Sequence, residues 1–324
     1  MNDLSNLFRE FNDKISLTPG YKEKIRRARD AIRNKINNKF EKENLKKPKY
    51  HTQGSYTMHT AIMPLENEDF DLDNGIYLQD YGEDKEEWPS VQEVHKLIVE
   101  AIDGHTKDII DKNTCVRVVY QDNYHIDLPI YIMGEDDENN EVAFLAHKTD
   151  GWIISDPKAF RNWFNDAVKN SEDQTLRRIV KYFKHWIHQN KIDLPGITIT
   201  ILASKHFLIK DDDAQTLLEV TTSILDELEE NFTCFKPVRP TDEDLLSKIG
   251  FNQRVSILNS LRELKDKLSE ALFDSENQKD SSIILRGLFG VNCFPLGNEN
   301  KKNSEDYLET ASPEKVIGKN RHYA

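Results

Sequence analysis

The stretch Asp69-Phe70-Asp71-Leu72-Asp73-Asn74-Gly75-Ile76-Tyr77-Leu78 alternates carboxylate and apolar side chains and then runs into a mostly apolar end. A period of two reads as a β-strand, with successive side chains on opposite faces. Asp69, Asp71 and Asp73 therefore share a face, and neighbours in this series stand about 6–7 Å apart along the strand. Carboxylates that close repel unless something positive lies between them. Mg²⁺ suits the place, because it takes hard oxygen ligands and keeps phosphate oxygens as partners. Parity does not say which two of the three would hold a metal. Asp69 follows the polar Glu66-Asn67-Glu68, where a carboxylate stays hydrated. Asp71 and Asp73 lie deeper in the strand and are the better pair.

A third carboxylate, Asp127, sits in Tyr124-His125-Ile126-Asp127-Leu128-Pro129. An unpaired acid in so apolar a strand is costly, so it points to the same site. Three such ligands would let two Mg²⁺ or Mn²⁺ ions clamp an in-line displacement at a phosphate, one activating the attacking hydroxyl and one steadying the leaving group. Upstream, Gln53-Gly54-Ser55 ends a short strand that begins near Tyr50. Glycine there lets the backbone approach a phosphate, and the serine hydroxyl donates to it. Taken alone, a Gly-Ser pair is only a turn.

Outward from these motifs, Thr18-Pro19 reads as a helix start, and Tyr21 to Asn44 as one long helix with Ile25, Ala28, Ile32, Ile36 and Phe40 on one face. Val116 to Tyr120 and Tyr124 to Met133 read as paired strands, and Val142 to His147 and Trp152 to Ile154 as two short ones. After Asp156-Pro157 the character changes. Lys158 to Lys169, Gln174 to Asn190, Ala214 to Asn231 and Asn252 to Phe273 read as helices, and Ser281 to Phe289 closes the globule. Ile197 to Ile209 is apolar throughout and fits a buried helix or a strand. The expectation is an α+β chain: a mixed-sheet lobe with the long helix over 1–156, a helical lobe over 157–297, the active site in the cleft between them, and a loose polar tail over 298–324.

The chain has 324 residues and a formal charge of −13, with 37% hydrophobic and 31% charged residues. That field opposes non-specific binding of long duplex DNA, although residues 22–49 are locally basic. This basic run reads as a solvated helix face or as a positive wall beside bound triphosphates or nucleic acid. The first ten residues are mixed and charged, without the apolar stretch of a signal peptide. No run of about 18 apolar residues suggests a membrane span. Cys115, Cys234 and Cys293 form no CxxC pair, which fits a reducing cytoplasm. His51, His59 and His125 lack a zinc pattern and read as structural or solvated. Ser155-Asp156-Pro157 reads first as a helix cap, with base contact as the alternative. Tyr182, Phe183 and Trp186 read as core before they read as a stacking platform.

Gly-Ser, then Asp-x-Asp on a strand, then one Asp on a later strand resembles the DNA polymerase β-like nucleotidyltransferases. The wording of Gln53-Gly54-Ser55-Tyr56, Thr60-Ala61-Ile62, Phe70-Asp71-Leu72-Asp73-Asn74-Gly75-Ile76 and His125-Ile126-Asp127-Leu128-Pro129-Ile130-Tyr131 is similar to the bacterial CD-NTases, relatives of cyclic GMP-AMP synthase that serve anti-phage signalling. Trp152 to Pro157, Tyr182 to Trp186 and Leu288 to Pro295 share that likeness. The resemblance implies a polymerase β-like fold with Asp71, Asp73 and Asp127 as catalytic metal ligands and Gln53, Gly54 and Ser55 at the triphosphate. It also implies a triphosphate lysine on the interlobe helix, either Lys181 or Lys184. A serine often assists after the Pro break; here Pro195-Gly196-Ile197-Thr198 leaves Thr198. The implied activity makes a cyclic di- or trinucleotide from ATP, with or without a second nucleoside triphosphate, and releases pyrophosphate. Its product would be sensed by a separate effector protein. The implied partner at the tail is an enzyme that conjugates Ala324. Linear oligoadenylate synthesis or RNA tailing is the competing enzyme reading; acidic runs such as Asp211-Asp212-Asp213 offer RNA a poor track. An inactive fold used only for binding is the third, and it would be marked by a lost carboxylate.

Overall fold

The computed structural model describes residues 2–66, 68–82, 84–171 and 174–299. The tail expected over 298–324 therefore lies outside the described residues from position 300 onward.

Strand β2 (Phe70–Tyr77) is the axis of the sheet. Its first half pairs in parallel with β5 (Tyr124–Leu128), so that Asp71 faces His125 and Asp73 faces Asp127. Its second half pairs in parallel with β6 (Ile130–Glu135), Ile76 facing Ile130. The offset is the same on both sides of Pro129, so β5 and β6 form one long edge, as expected for Tyr124 to Met133. The proline merely interrupts it, having no N–H for the ladder. On its other side β2 meets β1 (Lys49–Thr52), antiparallel, with Thr52 opposite Asn74. The outer strands β3 (Asp108–Asp111) and β4 (Val116–Tyr120) continue from β5. Strands β7 (Glu141–His147) and β8 (Gly151–Ile154) continue from β6. The sheet is mixed, as the alternating patterns indicated.

One face of the sheet is covered. Helix α2 (Pro19–Lys42) carries Ile25, Ile32, Ile36 and Phe40 inward, and its start is the expected one, with Thr18 Oγ1 accepting from Tyr21 N at 3.2 Å. Helix α4 (Val91–Ile102) packs beside it and opens with a capping box between Ser90 and Glu93. Both bury their apolar faces against Leu72, Ile126, Leu128 and Val118. Neither α4 nor β3 was anticipated, although Ser90 and Glu93 with Val91, Val94, Ile98 and Ile102 at helical spacing carry the signal for α4.

A second core lies in the helical lobe: α5 (Pro157–Lys169), α6 (Thr175–Gln189), α7 (Gly196–Lys205), α8 (Asp213–Glu230), α9 (Phe251–Ser269) and α10 (Gln278–Phe289). The ambiguous Ile197–Ile209 run is helical in α7 and buried on most sides. The N-terminus departs from expectation. It forms helix α1 (Ser5–Ile15), and Leu7, Phe8, Phe11 and Ile15 insert into this second core rather than into the sheet lobe. Phe11 stacks on Tyr182 with ring centroids 5.4 Å apart, and Phe8 meets it edge-on at 5.2 Å. The lobes are thus not simple consecutive halves of the chain. The spacing Leu4, Leu7, Phe8, Phe11, Ile15 is the helical signal that identifies α1.

Phe11 is fully buried in this cluster. Phe11→Ala should cost about 3–5 kcal/mol of stability, measured by urea unfolding. A loss below about 1 kcal/mol would mean that α1 is an appendage.

Candidate active site

The site is built on the face of β2 and β5 opposite the core. Phe70 and Leu72 turn toward α2 and α4, which leaves Asp71 and Asp73 on the cleft side, with Asp127 beside them on β5. The cleft, about 630 Å³, runs between the two lobes. It brings together Asp71, Asp73, Asp127, Gln53, Gly54, Ser55 and Lys184. Asp69 also lines it, but from the coil before β2.

Burial and mutual repulsion govern the acids. Asp73 is pushed up to about 6 by burial first, and then by the negative charges of Asp127 and Asp71. Asp71 is also raised by burial, with His125 and Arg117 pulling the other way. Arg117, on β4 opposite Asp127 in register, supplies most of the visible compensation. Its Nε donates to Asp127 Oδ1 at 2.6 Å, and its Nη2 donates to Asp127 Oδ2 at 2.7 Å and to Asp71 Oδ1 at 3.1 Å. His125 Nε2 lies against the same Asp71 oxygen, and Lys112 Nζ stands 4.0 Å from Asp127. Arg117 and His125 were not singled out as site residues. For Arg117 the signal was present: a lone guanidinium in the apolar run Val116-Arg117-Val118-Val119, at a position flanked by core-facing valines.

This donor set fits a divalent cation: hard oxygens, clustered negative charge, and one acid whose proton affinity is raised by burial and by its neighbours' negative charge. Among the described residues no three acids or histidines stand converged as metal ligands. Asp71 and Asp127 are turned onto Arg117 instead.

The Gly-Ser turn is shaped by the same strand. Gly54 has φ +65, and a Cβ there would lie 2.5 Å from Asp73 Oδ2, so only glycine brings the turn this near the carboxylate. Gln53 lines the cleft, yet its amide is committed elsewhere: Nε2 donates to Tyr77 Oη and Oε1 accepts from Tyr131 Oη, both at 3.2 Å. It anchors the turn from below. Gly75 leaves room for it, since a Cβ there would sit 2.1 Å from Gln53 Nε2.

The choice between the two lysines is resolved by position. Lys184 Nζ enters the cleft and donates to Thr60 Oγ1 at 3.2 Å. Lys181 points instead to α1, donating to Ser16 Oγ at 2.9 Å and Asn12 Oδ1 at 3.4 Å, and is not part of the cleft wall. Burial lowers Lys184 to about 8. Thr198 is corrected as well. It is fully buried inside α7 and off the cleft, whereas Thr200, two residues on, lines it. In a helix that opens at Gly196, the two positions differ by about 200° around the axis. Asp156 caps α5, accepting from Ala159 N at 2.9 Å, and lines the cleft too. Tyr182, Phe183 and Trp186 are core.

Residues 48–131 match the family model described as cyclic GMP-AMP synthase DncV-like, nucleotidyltransferase domain. Over this segment the chain is similar to the bacterial CD-NTases. It is 29% identical over 199 residues to a cyclic GMP-AMP synthase of Escherichia albertii, covering 57% of this chain and 43% of that one. It is 25% identical over 297 residues to a cyclic GMP-AMP synthase of Vibrio cholerae, covering 69% and 65%. The chain thus spans under two thirds of the length of these relatives. In fold it is similar to the V. cholerae DncV cyclic AMP-GMP synthase solved with nonhydrolyzable GTP, at TM-score 0.74 and 19% identity over 90% of this chain and 97% of that one. It is also similar to the CD-NTase CdnG of Bradyrhizobium diazoefficiens, solved with GTP, at TM-score 0.71 and 14% identity over 90% and 96%. These likenesses show an α+β nucleotidyltransferase fold.

The lysine offers a test that needs no substrate. An unfolded lysine titrates near 10.5 and the buried Lys184 near 8. Below pH 8 both states carry the charge, and the folded state bears its full desolvation cost. Between about 8 and 10.5 the unfolded chain binds more protons, so stability rises with pH. The stability advantage of Lys184→Met over wild type should therefore shrink from pH 7.5 to pH 10, read by denaturant unfolding of both proteins. A gap constant with pH would place the lysine in water.

Proposed function

We propose that this chain is a metal-dependent nucleotidyltransferase that makes a cyclic di- or trinucleotide from ATP, alone or with a second nucleoside triphosphate, and releases pyrophosphate. The observation that carries the reading is the register of β2 on β5, which sets Asp73 opposite Asp127 with Asp71 one step away on the same face. The names of the relatives, cyclic GMP-AMP synthases and a c-di-GMP synthase of Roseivirga ehrenbergii, point the same way.

In this reading Asp71, Asp73 and Asp127 hold two Mg²⁺ or Mn²⁺ ions, which when bound supply charge neutralisation at the phosphates and a more acidic attacking hydroxyl. Gly54 and Ser55 bring a close backbone and a hydroxyl to the triphosphate. Lys184, short of a counter-charge in the free protein, gains one from the triphosphate, which raises its proton affinity again. Arg117 holds Asp127 and Asp71 in place in the free protein. Gln53 acts through the turn it anchors.

The wider setting belongs to the same proposal: a product sensed by a separate effector in anti-phage signalling, a cytoplasmic location, and conjugation at Ala324. Among the described residues no helix is long and apolar enough to cross a membrane.

Purified protein incubated with radiolabelled nucleoside triphosphates and Mg²⁺ or Mn²⁺ should yield a phosphatase-resistant product containing adenine, identified by mass. A ladder of linear, phosphatase-sensitive oligomers as the only product would replace the cyclase reading with the linear one. In the same assay Asp71→Asn, Asp73→Asn and Asp127→Asn should each lose about 100-fold or more in turnover while remaining folded. Asp69→Asn should stay within about tenfold, or ~1.4 kcal/mol of barrier. An inactive Asp69→Asn beside an active Asp73→Asn would shift the metal pair by two residues.

A further inference from the structure

Between α8 and α9, residues 231–250 leave the helical lobe and return to it as an arm. Its limbs are tied together: Leu245 N donates to Cys234 O at 2.9 Å, Lys236 N to Glu243 O at 3.2 Å, and Cys234 N to Asp244 Oδ1 at 2.8 Å. Cys234 and Leu246 are buried in the helical core, which anchors the base. Further out, Lys236, Val238 and Arg239 line the cleft.

Arg239 then reaches the other lobe. Its guanidinium pairs with Asp136 and Glu138 in the turn between β6 and β7. The Asp136 side chain is 2% exposed. Its Oδ1 accepts from the backbone N of Glu138 and of Asn140, both at 2.9 Å, and from Asn140 Nδ2 at 3.2 Å. These bonds come from its own hairpin, so the carboxylate is held in place before Arg239 arrives. A buried acid with one oxygen on amides and the other on a guanidinium is costly to strip of its partner, because an unpaired charge is left inside.

We propose that Arg239 is a positioning residue that latches this arm across the cleft. Through Asp136 it ties the helical lobe to the sheet lobe, and it holds Lys236 and Val238 in the wall against a bound nucleoside triphosphate. The identity of that ligand rests on the reading above; the latch does not.

The full chain should be compared with Arg239→Gln, Asp136→Asn, the double variant and Arg239→Lys. Hydrogen exchange at the amides of Cys234, Lys236 and Leu245, without nucleotide, reads the latch alone. Each neutral single variant should speed that exchange about tenfold or more, while α6 and α8 keep their protection. With ATP, KM should rise about tenfold while kcat stays within about threefold, the pattern of lost positioning in the ground state. Arg239→Lys should recover most of both effects. The double variant should be no worse than the worse single one, since both remove one contact. Unchanged arm exchange in folded Arg239→Gln overturns the latch. Faster exchange with unchanged KM overturns the positioning role. A wild-type protein that consumes no nucleoside triphosphate defeats the functional reading, and the exchange measurement still decides the latch.

Discussion

The constraint on which the rest depends is electrostatic: three carboxylates held together on adjacent strands of one sheet face. Asp71, Asp73 and Asp127 are placed there by backbone pairing, not by attraction, because β2 and β5 run parallel with Asp73 opposite Asp127. Like charges so placed resist folding. The fold meets that cost with a continuous apolar floor under the same strands, from Leu72, Ile126, Leu128 and Val118 against α2 and α4. It also places Arg117 on the next strand, where one guanidinium serves two of the acids. Asp73 is left the least compensated, as its raised proton affinity records.

The helical lobe contributes the opposite charge under the opposite constraint. Lys184 lies in a buried position with a neutral oxygen, Thr60 Oγ1, as its hydrogen-bond partner. Burial alone lowers its proton affinity. The two lobes thus face each other across the cleft with acids reluctant to ionise and an amine reluctant to charge. Under the proposed function, a metal–triphosphate complex would satisfy both at once.

Much of this was legible because the chemistry lies on period-two strands. Parity alone put Asp71 and Asp73 together, and the apolar neighbours of Asp127 marked it as an acid with a reason to be there. Gly54 was legible as a turn glycine, but the reason for it, the approach of Asp73 Oδ2, is a three-dimensional fact. The lysine was not legible. Lys181 and Lys184 lie three residues apart on one helix and differ in which neighbour they meet, α1 or the cleft. Thr198 was misplaced for a similar reason: an apolar run such as Ile197–Ile209 shows no polar face by which to orient a helix. Arg117 carried a signal that was passed over, since its role appears only once β4 is registered against β5. Helix α1 was missed because its charged residues hid a regular apolar stripe.

The turn that would hold the triphosphate belongs to both lobes. It grows from β1 in the sheet lobe, yet Met58, at its far end, is buried in the helical core. Arg177 of α6 donates to Met58 O at 2.9 Å, Lys184 of the same helix donates to Thr60, and Met63 N donates to Ile15 O at the end of α1 at 2.7 Å. Ser55 therefore stands where it does relative to Asp73 because two cores, packed independently, each fix one end of an eleven-residue path from Gln53 to Met63. A shift of either core moves the phosphate turn against the acids. This is why α1, which meets the cleft wall through the bond from Met63 to Ile15, matters to the site: it packs inside one lobe and holds the edge of the segment that the other lobe needs.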